Sequence, residues 1–189
     1  MKLLGAHDHR RMAWRNGGGE TLEVAIFPAD AGIDAFGWRV SMAIVAQDGA
    51  FSIFAGADRT LVLLVGDGIT LEVAGRDAVT LSVDSPPFAF PADVATIARL
   101  RGGTITDRNV MTARGRYVHV VERCVGPRML VAGPSETLLL LGVGATVEAS
   151  GERAALGAGD LVRLAPDERA HVSPAAGATW LLIAIRPAG

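Results

Sequence analysis

Short runs of alternating apolar and polar residues, each closed by Gly, Asp or Pro, recur along this 189-residue chain and leave little room for helices. Gly37–Val45, Gly49–Phe54, Thr60–Val65, Gly68–Val73 and Asp77–Val83 each alternate or form a brief apolar run. Strand side chains point to opposite faces in turn, so alternation marks a strand with one buried face. Many such strands at short spacing predict an all-β fold, a sandwich or a barrel. Gly66-Asp67-Gly68 reads as a hairpin turn. The one stretch with a helical option is Ala92–Leu100, which also suits a loop or a strand.

The pattern repeats. Arg59–Gly66 resembles Glu136–Val143 at an offset of roughly 76 residues, and each run leads through a short strand, a charged glycine turn and an acidic turn to proline. The expected architecture is a bicupin, two jelly-roll-like halves in one chain. Residues 1–115 would form an N-terminal half carrying the site, and residues 116–189 a mainly structural half of Leu, Val and Ala.

Half of the residues are apolar, enough for a sizeable core. A formal net charge of -2 offers no footprint for nucleic acid or an anionic membrane. No apolar run is long enough to span a bilayer and no signal peptide is evident, so a cytoplasmic protein is expected. Cys124 stands alone, which suits a reducing compartment and a small half-buried side chain.

Trp14-Arg15-Asn16-Gly17-Gly18-Gly19-Glu20 is the densest local signal. Three glycines cost backbone entropy and are kept where the chain turns with positive φ or lies against a neighbour. A phosphate loop is excluded, because the motif needs Gly-Lys and the only lysine is Lys2. A dinucleotide fingerprint is excluded too, since Thr21–Phe27 continues as a strand with Leu22, Val24 and Ile26 on one face.

Three further segments carry polar chemistry. Arg39, Ser41 and Ala43 share one face of a strand whose other face is Trp38, Val40, Met42 and Ile44. The first face is either solvated or the lumen of a barrel, where Arg39 and Ser41 would make a small anion site. Asp58-Arg59 lies at a turn before an apolar strand, as a surface ion pair or as an arginine at a barrel mouth. Thr106–Gly115, between the halves, concentrates Asp107, Arg108, Asn109 and Arg114 and reads as a binding loop. His7 and His9 precede the predicted strands, and His119 and His171 are isolated, so neither a metal nor another cofactor is expected. No Ser-His-Asp or Cys-His set can be assembled.

Three segments in order resemble the HutD/Ves family: Trp14-Arg15-Asn16-Gly17-Gly18-Gly19; Phe36–Ser41 with Gly49–Ser52 and Asp58-Arg59-Thr60; and Asp107–Met111 with Arg114-Gly115. The match runs from about Met12 to Tyr117. It departs at Arg108, where an apolar or aromatic residue is usual, and at Gly37, where an acidic one is common. The resemblance implies a cytoplasmic bicupin without the usual cupin metal. It also implies a small-acid ligand (formylglutamate, formate or urocanate) and a role in histidine utilisation or a stress response.

The expected function is therefore small-carboxylate binding by Arg15, Asn16, Arg39, Ser41, Arg59, Asn109 and Arg114. The alternative is a metal-independent enzyme acting on a small acid or sugar-like substrate, with Glu20 or Asp107 as general base. A purely structural interaction protein would lack a pocket. Exposed strand edges make a homodimer an open expectation.

Overall fold

The computed structural model describes residues 1–14 and 17–189; Arg15 and Asn16 lie outside the described residues. It is an all-β protein. Its strands are β1 (Lys2–Leu4), β2 (Arg10–Ala13), β3 (Gly19–Phe27), β4 (Trp38–Val45), β5 (Gly49–Ala50), β6 (Ala57–Val65), β7 (Ile69–Val73), β8 (Val79–Leu81), β9 (Phe88–Pro91) and β10 (Thr96–Leu100). They continue as β11 (Ile105–Ala113), β12 (Tyr117–Val125), β13 (Arg128–Val131), β14 (Thr137–Leu141), β15 (Thr146–Ala149), β16 (Glu152–Ala155), β17 (Leu161–Leu164), β18 (Arg169–Ser173) and β19 (Thr179–Pro187). A single turn of 3-10 helix covers Ala6–Asp8. No helix among the described residues is long and apolar enough to cross a membrane.

The chain divides into two units, Arg10–Arg116 and Met1–His9 with Tyr117–Gly189. The first nine residues thus join the C-terminal part, because β1 pairs antiparallel with β17. In the Arg10–Arg116 unit a six-stranded sheet runs β2-β3-β4-β11-β6-β9 and a four-stranded sheet runs β5-β10-β7-β8. In the other unit the orders are β1-β17-β14-β19-β12 and β13-β18-β15-β16. Adding eight to each label turns β4-β11-β6-β9 into β12-β19-β14-β17, and β5-β10-β7-β8 into β13-β18-β15-β16. Each sheet is open; no pairing among the described residues closes one into a barrel.

Alternation explains the core of the first unit. Ala43, Val45, Leu61 and Leu63 point from the six-stranded sheet toward Ile69, Leu71, Val73 and Ala98 of the four-stranded one. Each buried Val, Leu or Ile among them contributes about 1.5–3 kcal/mol by leaving water. The other unit has its own core, centred on Leu138, Leu140, Val147, Val162 and Trp180.

Several local expectations change. Thr106–Gly115 is not a loop: its first eight residues belong to β11, an inner strand paired to β4 on one side and β6 on the other. Asp107 and Asn109 are tolerated there because their face looks into a cavity. Gly66-Asp67-Gly68 is not a hairpin, since β6 and β7 belong to different sheets. Gly66 has φ +111°, and a Cβ there would lie 2.7 Å from Ile105 Cγ2, so the turn needs glycine. Ala92–Leu100 holds no helix and contributes β10. Of Gly49–Phe54 only Gly49–Ala50 is strand; Phe51 and Phe54 then donate their amides to the carbonyls of Thr96 and Ala92.

Candidate functional site

The glycine run positions one wall of this site. Gly17 takes φ +70°, and its amide donates to the Trp14 carbonyl at 3.0 Å. A Cβ on Gly19 would collide with the Ile44 carbonyl oxygen. The close approach fixes the indole of Trp14, whose Nε1–H donates to Thr21 Oγ1 at 2.8 Å. Trp14 and Thr21 line a cavity of about 430 Å³ within the Arg10–Arg116 unit, in the usual size range for small-molecule sites.

The opposite wall is the inner face of β4, β11 and β6. Register places Arg39 and Arg59 on either side of Met111, and Ser41 beside Asn109 in the next row. Ala43 and Asp107 form the row after that. Neighbouring strands are about 4.8 Å apart, so the two arginine backbones are separated by roughly 10 Å across the sheet. The Arg39–Ser41–Ala43 face is therefore cavity lining, not solvent.

Arg39 is buried. Its Nε donates to Glu23 Oε2 at 2.8 Å and its Nη1 to Ser41 Oγ at 3.4 Å. Its Nη2 has no partner among the described residues. Arg59 is also buried, with its guanidinium carbon 5.2, 5.3 and 5.6 Å from the ring centroids of Phe51, Phe54 and Phe90. Aromatic faces attract a cation and partly replace its lost hydration. Its Nη2 donates to the Ser52 carbonyl at 3.1 Å, while Nε is unpartnered among the described residues. Burial lowers the Arg59 pKa to about 10, with Asp107 opposing and Arg39 adding to the shift. Arg59 is still a cation at neutral pH.

Asp107 is fully buried and Asn109 nearly so. Asn109 Nδ2 donates to Asp107 Oδ1 at 2.6 Å, which leaves Asp107 Oδ2 and Asn109 Oδ1 without partners among the described residues. Burial pushes the Asp107 carboxyl up to about 7, against the opposing pull of Arg59 and of the Asn109 hydrogen bond. Arg108, between them in sequence, points to the other face of β11 opposite Met42. Burial lowers its pKa to about 10.

Of the residues expected to bind, Arg39, Ser41, Arg59 and Asn109 come together at this cavity, with Asp107. Arg114 does not. It lies just past β11, where it pairs with Asp58 at 2.8 Å and Asp93 at 2.9 Å on the surface. Glu20 does not either: it sits opposite Ile44, on the face away from the cavity, and is bound by Arg11 at 2.9 Å. Arg15 and Asn16 lie outside the described residues. Sequence reasoning passed over Glu23 and the three phenylalanines. Glu23 alternates with Leu22 and Val24 as an outward residue would, and only its ion pair with buried Arg39 distinguishes it from a solvated one.

The donor set does not suit a divalent cation. Two guanidinium groups face the space where one would sit, and Asp107 is the one carboxylate among the lining residues. Among the described residues no three His, Cys, Asp or Glu side chains cluster as metal ligands.

The arrangement is a cupin-like fold with two buried arginines, Arg39 and Arg59, at one cavity. A cupin 2 conserved barrel domain protein from Leptotrichia buccalis shares the fold at 11% identity, with a TM-score of 0.57 over 89% of this chain and 88% of that one. More specifically, the HutD family model matches residues 6–182, and the chain belongs to the HutD family. An uncharacterised 21.2 kDa protein from the hutC 3′ region of Pseudomonas putida is 38% identical over 150 residues, 79% of this chain and 77% of that protein. HutD from Pseudomonas fluorescens SBW25, solved in a formate condition, is 30% identical. Its TM-score is 0.83, with 100% of this chain and 99% of that one covered.

Proposed function

We propose that this protein binds a small carboxylate of the formylglutamate, urocanate or formate type, and through it modulates histidine utilisation or a stress response in the cytoplasm. The observation that carries the reading is a pair of buried arginines, Arg39 and Arg59, each with an unused N–H among the described residues, flanking one cavity. Each charge-assisted hydrogen bond to a ligand oxygen would contribute about 1.5–3 kcal/mol. The hutC-region relative supports the histidine context, and the formate-condition structure supports an acid ligand. Strand orders that repeat on adding eight support a bicupin built of two equivalent halves.

Calorimetry with formylglutamate, urocanate and formate tests the reading. Binding of one of them at millimolar affinity or tighter, weakened roughly ten- to hundredfold in Arg59→Met, is the expected result. Arg59→Met binding as tightly as wild type would remove the arginine pair from the account.

A second reading, a metal-independent enzyme acting on a small acid or sugar-like substrate, is favoured by Asp107. It faces the arginines, and its proton affinity lies near neutrality, as a general base requires. Chemical change of a bound acid, followed by NMR, would establish it; an unaltered ligand after long incubation would leave binding alone.

A further inference from the structure

We infer that Asp107 is the proton-binding partner of the ligand: a carboxylate enters this cavity together with one proton, which Asp107 Oδ2 takes up and directs at a ligand oxygen. This rests on the carboxylate-binding reading and adds a specificity-determining role for Asp107.

The charges around Asp107 carry the inference. From β4, Arg39 faces the cavity, but its charge is matched by Glu23 of β3 at 2.8 Å. From β6 comes Arg59, the remaining cation in the lining. On β11 itself Asn109 is neutral, and Arg108 acts from behind through the strand. Ser41 and Ser52 add neutral hydroxyls, and no histidine lines the cavity among the described residues. Within the lining, Arg59 and an ionised Asp107 cancel. An incoming anion would then meet a second carboxylate with one unmatched guanidinium for both.

Two like charges in a buried site cannot both stay ionised without a large cost, and one of them binds a proton. Asp107 is the group placed to do so, because its Oδ2 is buried and accepts from no described residue. Once protonated it changes from acceptor to donor. The ligand oxygen then receives an O–H from Asp107 beside the N–H groups of Arg39 and Arg59. Atoms and charge balance simply: one proton passes from the buffer to Oδ2, and no covalent bond in the ligand is altered. Burial already holds this carboxyl near neutrality, so the proton is available at physiological pH.

The test is calorimetry of formate and N-formylglutamate, acids that stay ionised across the range used, at pH 6, 7, 8 and 9. Each titration is repeated in two buffers of different ionisation enthalpy. Expected are uptake approaching one proton per ligand at pH 8 and affinity falling about tenfold per pH unit above pH 7. Asp107→Asn should bind with flat pH dependence and no uptake. Tight binding by wild type with no proton uptake and no pH dependence would overturn the inference while leaving the carboxylate reading intact. Failure of both acids, and of urocanate titrated alongside them, to bind at any pH would remove both. Proton uptake is read on the wild-type protein, so the outcome stands even if Asp107→Asn folds poorly.

Discussion

Asn109 donates its side-chain amide to Asp107 across 2.6 Å, from the next position on the same face of β11. This bond is the one direct side-chain stabilisation of the Asp107 carboxylate among the described residues, and it opposes the effect of burial. Asn109→Ala should therefore raise the proton affinity of Asp107 above that of wild type. Carboxyl-carbon NMR titration of both proteins measures it directly. A downward shift, or none, would mean that water or another donor takes over.

Arg59 stands among three phenyl rings, a setting that accepts an apolar chain of similar length. Arg59→Met should keep the fold, because the rings accept the apolar chain and Asp107, freed of the Arg59 charge that lowers its pKa, binds a proton and leaves no unmatched buried charge. Ligand affinity should fall by roughly ten- to hundredfold, the equivalent of one charge-assisted bond. Thermal unfolding and calorimetry on the same preparation separate the two effects.

The all-β class was legible because alternation and turn residues are local properties. The match between Arg59–Gly66 and Glu136–Val143 was legible for the same reason, and β6 and β14 hold equivalent places in their sheets. Partner strands were not, since pairing β11 between β4 and β6 is a long-range event that no local pattern encodes. This is also why Asp107 and Asn109 looked like loop residues. Arg114 was indistinguishable from Arg59 by composition; one ends just past its strand among surface carboxylates, the other points inward. Arg114→Ala should accordingly leave ligand affinity within about twofold of wild type and lower the melting temperature only slightly, as is usual for exposed ion pairs. A loss of binding comparable to that of Arg59→Met would return Arg114 to the site.

The glycine run makes a stability prediction with an internal control. Gly19→Ala places a Cβ against the Ile44 carbonyl and should cost about 1–3 kcal/mol, as overpacking does. Gly17→Ala meets nothing within 4 Å and bears only the strain of φ +70°, about 1–2 kcal/mol. Urea unfolding of the two variants should rank Gly19→Ala as at least as damaging. Gly19→Ala should also loosen Trp14, seen as a shift in tryptophan fluorescence, because that indole packs 3.2 Å from the added carbon.

Asp107 should also shape stability against pH. Its folded pKa, about 7, lies above the unfolded value near 3.8. A group raised in this way binds its proton more tightly when folded, so its favourable contribution is complete below about pH 4. That contribution is lost as pH rises through about 7, where the folded protein must bury a charge. Asp107→Asn never carries that charge. Relative to wild type it should gain stability between pH 5 and pH 8, by on the order of 2–3 kcal/mol if no ligand is present. The comparison cancels every other titrating group, since only Asp107 differs between the two proteins. Urea denaturation at both pH values provides the measurement, and a difference that is the same at pH 5 and pH 8 would show that Asp107 titrates well below neutrality in the folded protein.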